Sequence, residues 1–433
     1  MTEHLIDTML DEVGTASVGY KPQPGCVVTV CSSFGCGGAE RQTVANLSRL
    51  AHDSRVKKVA AVARSTAHPG DDFFLPKLRE IPLEPIVYGA DWKRASEIAQ
   101  GSPLGATSRL RDAIDALAGN LREDVVRFSS ILVRERPQAV HVRQDMYCCA
   151  IACALVGVPN IVIHRGSLAP NRWGLNQMQM DGWVRLLRHA YRGLLKLPSV
   201  RMVNITLRCS ESDREWLDWP DAARFQIIRN GVDFQSLGTA GGRNMELRRA
   251  LGIGDEAFVV GGAFRFVPVK RPMLWMAVAG EIAKMLPDAH FVVIGDGAMK
   301  DEMRHDASAR GFSDRLHMPG VVANVGDWYR VMDLNLLTSE REGLGNVLVE
   351  GQHFGVPVLA ADVGGVGEAI DPGLTGYLVP PEAEPRAISQ AAIRIWNASD
   401  WRGAARVAAP KFVHENFSME RAIDRLVACY GLA

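Results

Sequence analysis

Short apolar runs rich in Val and Ile recur along this chain, separated by helix-length segments whose apolar residues return every three or four positions. In the first half the strand-like runs begin at Cys26 (CVVTVC), Lys58 (KVAAVA), Pro85 (PIVY), Gln138 (QAVHV), Asn160 (NIVIH) and Met202 (MVNITLR). In the second half they begin at Ala257 (AFVVGG), His290 (HFVVIG), Arg315 (RLHMPG), Asp333 (DLNLLT), Pro357 (PVLAAD) and Gly376 (GYLV). Such alternation predicts parallel α/β layers, and each half holds about enough strands for one doubly wound sheet. A chain of 433 residues also exceeds one ordinary core, so two domains are expected. The least sheet-like stretch between them runs from Gly231 to Arg249, with GTAGGR at its centre, and is read as the linker. Polar and Gly/Pro-containing sequence from Asp91 to Thr107 reads as a surface insertion. The longest uncharged apolar stretch, Tyr147 to Ile163, is broken by Gly157, Pro159 and Asn160. It predicts a helix, a turn and a strand, not a membrane span.

Charge changes this picture little. The 49 basic residues balance 49 acidic ones, which leaves no global field to draw the chain to nucleic acid or anionic lipid. Eight cysteines form no CxxC pair, and most lie in apolar runs where a thiol behaves as a small buried hydrophobe. That usage, and an N-terminus unlike a signal peptide, suit a reducing cytoplasm.

The strongest chemical signal is the string from Thr338 to Gly351, TSEREGLGNVLVEG. A buried strand leads into a loop with two glycines, and a helix begins near Asn346. Glycines let a backbone approach a ligand closely, and a helix N-terminus offers free N–H groups to phosphate oxygens. Glu342 and Glu350 straddle that helix start, so they can hold different parts of one extended ligand: Glu350 a ribose diol, Glu342 sugar hydroxyls. Two ordinary solvated acids favoured by the helix dipole are the alternative. A second constellation, Gly262-Ala-Phe-Arg265-Phe-Val-Pro-Val-Lys270, places two cations after a strand. Such cations can neutralise a diphosphate leaving group, or form a solvated basic loop.

The string with Glu342-Gly-x-Gly and Glu350, followed by Gly355-Val-Pro-Val-Leu-Ala, resembles the E-x7-E signature of family 4 retaining glycosyltransferases of the GT-B fold. Gly364-Gly-Val-Gly-Glu368 and Gly376-Tyr-Leu-Val extend the likeness, with Thr375 where Asn is usual. The resemblance implies an α/β GT-B fold of two Rossmann-like domains facing a cleft. It places an acceptor-binding domain at residues 1–235, a nucleotide-sugar-binding domain at 236–412, and a closing helix at 413–433 that crosses back onto the first. It implies Arg265 and Lys270 as diphosphate ligands, and Gly343, Leu344, Gly345, Asn346, Val347 and Glu350 as donor-binding positions. The glycines of Gly37-Gly38-Ala-Glu40, by themselves equally a structural turn, are carried over as donor-side residues. Asn230-Gly-Val-Asp233 resembles a hinge turn, and Gly295-Asp-Gly297 the family's pocket turn. Backbone groups from Met318 to Val321 are expected to read the base.

His164, ending its strand, is expected to be exposed to the cleft and to contact the donor sugar or a proton in transit. A loop histidine capping a backbone group is its alternative. His141, mid-strand, reads rather as a satisfied core histidine. No D-x-D triplet and no His/Cys/Asp cluster of metal spacing occur, so no metal and no cofactor are expected. From Trp183 to Lys196, Arg185, Arg188, Arg192 and Lys196 share a helical face beside an apolar stripe of Trp183, Leu187, Ala190 and Leu194. That pattern suits peripheral contact with the inner membrane face or a lipid-diphosphate acceptor, or an ordinary helix packed on its own sheet. The expected activity is transfer of a sugar with retention from a nucleotide-sugar, UDP first and GDP second, to a glycan or lipid-linked acceptor in cell-surface polysaccharide synthesis. A GT-B-fold sugar-nucleotide epimerase and a non-catalytic nucleotide- or glycan-binding relative remain as alternatives.

Overall fold

The computed structural model describes residues 2–13, 19–35, 37–64, 72–83, 85–88, 107–117, 119–143 and 145–432. The expected insertion from Asp91 lies outside the described residues up to Ala106, and so does Cys36. The chain divides into two compact units, Met1–Gly231 with Met419–Ala433, and Val232–Ser418.

The first unit holds a seven-stranded sheet of β1 (Gln23–Cys31), β2 (Lys58–Ala63), β3 (Pro85–Val87), β4 (Pro137–Arg143), β5 (Asn160–Arg165), β6 (Val200–Asn204) and β7 (Phe225–Ile227). Their order is β3-β2-β1-β4-β5-β6-β7, every described pair parallel. Order reverses between β1 and β4, the switch point at which doubly wound sheets open a crevice at their carboxyl ends. Alternate residues of each strand enter different cores. Val28, Val140 and Ile163 join the face that packs Tyr147–Val156 and Arg185–Leu194. Val27, Ala139 and Val162 join the face that packs the helices Gly38–Leu50 and Met419–Cys429.

Two expectations shift here. The run MVNITLR was read as strand throughout, yet β6 stops at Asn204. Thr206 caps the helix Leu207–Leu217, its hydroxyl accepting from the Cys209 amide at 3.2 Å, and a threonine in that role ends a strand as surely as it starts a helix. The short edge strand β7 has no counterpart in the pattern reading. The Tyr147–Ile163 stretch is a helix, a left-handed Gly157 (φ +93°) and a strand, as expected.

The second unit holds β8 (Val259–Ala263), β9 (His290–Ile294), β10 (Leu316–Gly320), β11 (Leu334–Leu337), β12 (Val358–Ala361) and β13 (Gly376–Val379), ordered β10-β9-β8-β11-β12-β13 and again parallel. All six coincide with expected runs. Both sheets are thus Rossmann-like. One face packs Pro272–Met285 and Pro385–Asn397 around Trp275, Phe291 and Phe312. Val331, Tyr329 and Phe354 fill the other.

Candidate active site

In the second unit, the segment after β8 carries Arg265 and Lys270. It is held from beneath by the turn that follows β9. The Phe264 amide donates to the Ile294 carbonyl (3.0 Å), the Phe266 amide to the Asp296 carbonyl (2.9 Å), and the Met299 amide to the Phe266 carbonyl (3.1 Å). Gly295 and Gly297 make this contact possible. They sit at φ +136° and +155°, and a Cβ on either would lie 2.0 Å from the Phe264 oxygen or 2.6 Å from the Phe266 oxygen. Arg265 is exposed. Its guanidinium makes no hydrogen bond or ion pair among the described residues.

Lys270 ends a single 3-10 turn, Pro268–Lys270, before the helix Pro272–Met285. This turn is stitched to the end of β11: the Glu340 amide donates to the Val269 carbonyl (2.9 Å), and the Thr338 hydroxyl to the Arg271 carbonyl (3.2 Å). The stitching brings the Lys270 ammonium 2.6 Å from Glu342 Oε1, with the side chains only 19% and 12% exposed. The Ser339 hydroxyl donates to the same oxygen at 2.8 Å. Sequence reading gave these two residues separate duties and did not foresee the pair.

Gly364 explains how the Glu342 loop is seated. At φ +54°, a Cβ there would fall 1.8 Å from the Glu342 carbonyl oxygen, so this glycine is what lets the loop pass. Beyond Glu342, Gly345 takes φ +83° as N-cap of the helix Asn346–His353. Glu350 lies in that helix, only 4% exposed, and one of its oxygens accepts from the Tyr329 hydroxyl at 3.3 Å. The Asn335 amide group donates to the Val347 carbonyl (3.0 Å), which ties the first helical turn to β11. Thr375, at the position where the resemblance expects Asn, is fully buried and accepts the Asp371 amide at 2.9 Å. It closes the turn before β13.

In the first unit, Gly37 is the N-cap of Gly38–Leu50, and the Glu40 carboxylate fills the space a Gly37 Cβ would occupy, 2.0 Å away. Nothing among the described residues lies within 4 Å of a Cβ on Gly38. His164 departs from expectation. It is buried (4% exposed), not a solvent-facing tip, because β5 is flanked on both sides by β4 and β6 and its side chain lies on the face covered by two helices. Its Nδ1 is 2.8 Å from His141 Nε2 and 2.9 Å from an Arg143 Nη1. Arg143 reaches further, donating to the Ala39 carbonyl at 3.3 Å, and so ties His164 to the glycine loop. His141 is the satisfied core histidine expected, with Tyr430 Oη 2.8 Å from its Nδ1. Burial first, then the Arg143 charge, hold both imidazoles well below the usual histidine pKa, so both are neutral. Arg143 and Tyr430 escaped the sequence reading. Arg143 carried one usable signal, a charge at the carboxyl end of an apolar strand.

The basic helix Arg185–Leu194 buries Leu187, Ala190, Tyr191 and Leu194. Arg188 and Arg192 donate to the Trp216 and Leu217 carbonyls, and Arg185 pairs with Glu3 at 3.1 Å. All three of its arginines are therefore engaged within the first unit, and Lys196 lies beyond the helix end. Among the described residues, no helix is long and apolar enough to cross a membrane, and no group of three or more His, Cys, Asp or Glu side chains is placed to hold a metal ion.

Residues 244–411 match the family described as Glycosyl transferases group 1, and this span contains Arg265, Lys270, Glu342 and Glu350. The second unit carries a group 1 glycosyltransferase domain. Over 424 residues the chain is 26% identical to the Vi polysaccharide biosynthesis protein VipC/TviE of Salmonella typhi, covering 93% of this chain and 71% of that protein. It is 31% identical over 289 residues to a D-inositol 3-phosphate glycosyltransferase of Mycolicibacterium gilvum, covering 62% of this chain and 63% of that protein. Among solved structures, Anabaena Alr3699/HepE in complex with UDP and glucose superposes with a TM-score of 0.73 at 17% identity, covering 94% of this chain and all (100%) of that one. WaaG, a glycosyltransferase involved in lipopolysaccharide biosynthesis, gives 0.66 at 14% identity, with 94% and 100% covered. These likenesses extend beyond the group 1 domain to both units, and the fold is that of GT-B glycosyltransferases.

Proposed function

We propose that the chain is a metal-independent, retaining glycosyltransferase that takes a sugar from a UDP-sugar and passes it to a glycan or lipid-linked acceptor in cell-surface polysaccharide synthesis. One observation carries the reading: the Lys270–Glu342 pair, held at the carboxyl ends of β8 and β11, stands beside the helix start that leads to Glu350. The group 1 domain, the Vi polysaccharide relative and the UDP complex of HepE support it.

In this reading the donor diphosphate docks on Arg265, Lys270 and the backbone amides from Gly345 to Val347, while Glu350 holds the ribose. Negative charge grows on the departing diphosphate during transfer, so fixed cations there act mainly on the transition state. Lys270 leaves Glu342 for the diphosphate, and the freed carboxylate, still held by Ser339, accepts from hydroxyls of the donor sugar. Gly37 and Gly38 lie on the donor side, and His164 donates to a substrate oxygen. The enzyme works in the cytoplasm.

Thermal melting in EDTA with UDP, GDP or ADP tests this. UDP is expected to raise Tm without metal, and Glu350→Gln to abolish the shift. If no nucleotide at millimolar concentration moves Tm, the transferase reading fails.

A further inference from the structure

The buried cluster on the helix-covered face of the first sheet has a determined proton pattern, and it starts from the one group that can only donate. A guanidinium has no acceptor. Arg143 Nη1, 2.9 Å from His164 Nδ1, therefore requires a lone pair on that nitrogen. His141 Nε2 lies 2.8 Å from the same Nδ1, and two facing lone pairs repel, so His141 carries its proton on Nε2. The neutral ring then has its lone pair on Nδ1, to which the Tyr430 hydroxyl donates at 2.8 Å. One consequence remains. His164, neutral with Nδ1 unprotonated, must bear its proton on Nε2, and that nitrogen is buried without a hydrogen-bond partner among the described residues. An orphaned buried N–H is costly, about 1–3 kcal/mol, and natural proteins keep few of them without a use.

We propose that Tyr430, His141 and Arg143 are positioning residues that hold His164 in its Nε2–H tautomer, so that it serves the reaction as an obligate hydrogen-bond donor to an oxygen of the substrate and never as its general base. The chain of contacts begins on the last helix turn, at Tyr430, and ends at the glycine loop, where Arg143 also grips the Ala39 carbonyl. The stacked arrangement of the two imidazoles, 14° apart in plane, leaves neither ring free to turn without breaking its neighbour's bond. The role of His164 toward substrate rests on the proposed transferase function; the tautomer does not.

The two claims are tested separately. Histidine ¹⁵N labelling with long-range ¹H–¹⁵N correlation reads the protonated nitrogen of each ring, and Asn substitutions at positions 141 and 164 assign the signals. In the wild type His164 is expected as Nε2–H alone. In Arg143→Met, which removes from this buried position the one group that can only donate, His164 is expected to show both tautomers, because the Tyr430–His141–His164 chain can then run in either direction. With a UDP-sugar, this variant is expected to lose about tenfold in kcat while the UDP-induced Tm shift stays at the wild-type value. A wild-type His164 protonated at Nδ1, or an Arg143→Met spectrum with the wild-type tautomer alone, overturns the proposal even if no donor has been found. Wild-type kcat in Arg143→Met overturns the positioning role and leaves the transferase reading standing.

Discussion

Replacing Lys270 by Met and Glu342 by Gln, singly and together, asks how much of the candidate site is pre-assembled by its own ion pair. At 2.6 Å, the attraction of two unit charges is about 1.6 kcal/mol at the dielectric constant of water and about 6 kcal/mol at an effective value of 20. Both side chains are mostly buried, so the gross figure lies toward the second, and desolvation with side-chain ordering returns most of it. A net coupling of about 1–3 kcal/mol is the expectation. Lys270→Met leaves Glu342 with the Ser339 hydroxyl alone, costing about 2 kcal/mol; Glu342→Gln leaves Lys270 unpaired at similar cost. The double variant is expected to cost about 2 kcal/mol rather than the 4 that additivity would give. Urea denaturation followed by tryptophan fluorescence suits the measurement, since Trp275 is buried in the same unit and donates to the Leu336 carbonyl at the strand that leads into the Glu342 loop. Additivity of the two single changes to within about 0.5 kcal/mol would refute the pair as an energetic unit. With saturating UDP present the coupling is expected to shrink, because the diphosphate takes Lys270 from its carboxylate. In turnover, Lys270→Met is expected to cost about 10²–10³-fold in kcat, as loss of a donor aimed at developing charge does.

Two other outcomes follow from the same coordinates. Gly364→Ala places a methyl group against the Glu342 carbonyl oxygen, so it is expected to lower stability by at least about 2 kcal/mol and to abolish transfer; wild-type turnover in this variant would show that the loop does not need its present seat. His141, His164, His290 and His317 all have pKa values held below the usual histidine value, chiefly by burial. Below about pH 6.5 the unfolded chain takes up protons these native rings refuse, so stability is present above that pH and falls as acid is added, by at most about 1.4 kcal/mol per pH unit for each ring and by less for the half-buried His290 and His317 than for His141 and His164. Urea midpoints at pH 7.5, 6.5 and 5.5 check the sign, with His290→Asn/His317→Asn flattening part of the slope; a midpoint that rises toward pH 5.5 contradicts it.

The second unit was legible almost strand for strand, because its four inner strands, β9, β8, β11 and β12, are buried and read as apolar runs, while the half-exposed edge strands β10 and β13 are still short runs set off by glycine. The short β7, an edge strand of three residues with mixed polarity, offers no such run. Site residues divided along a similar line. Glu342, Lys270 and the glycines announce themselves by type and spacing. Their meeting depends on backbone bonds between residues about 70 apart, such as the Glu340 amide to the Val269 carbonyl, which no local pattern encodes. His164 was placed at the right end of the right strand but at the wrong depth: a strand's terminus looks exposed in sequence, while the helices over it are contributed by Gly38–Leu50 and by the chain's last residues. Arg143 and Tyr430 lie nearly 290 residues apart, and only the fold makes them neighbours of one histidine pair.

The two crossings between the units have a consequence for how such a protein can be inherited. Val232 and Ser418, the first and last residues of the second unit, are bridged to one another, and the Val232 amide donates to the Phe417 carbonyl at 2.8 Å. On the other side of the cut, a Cβ on Gly231 would touch the Met419 Cα at 2.7 Å. Both pairs of severed ends are therefore already side by side. The second unit is a cassette: two crossovers, one between residues 231 and 232 and one between 418 and 419, can exchange it whole for another lineage's, and the recipient keeps its final helix, its Tyr430 and the sheet of its first unit in register.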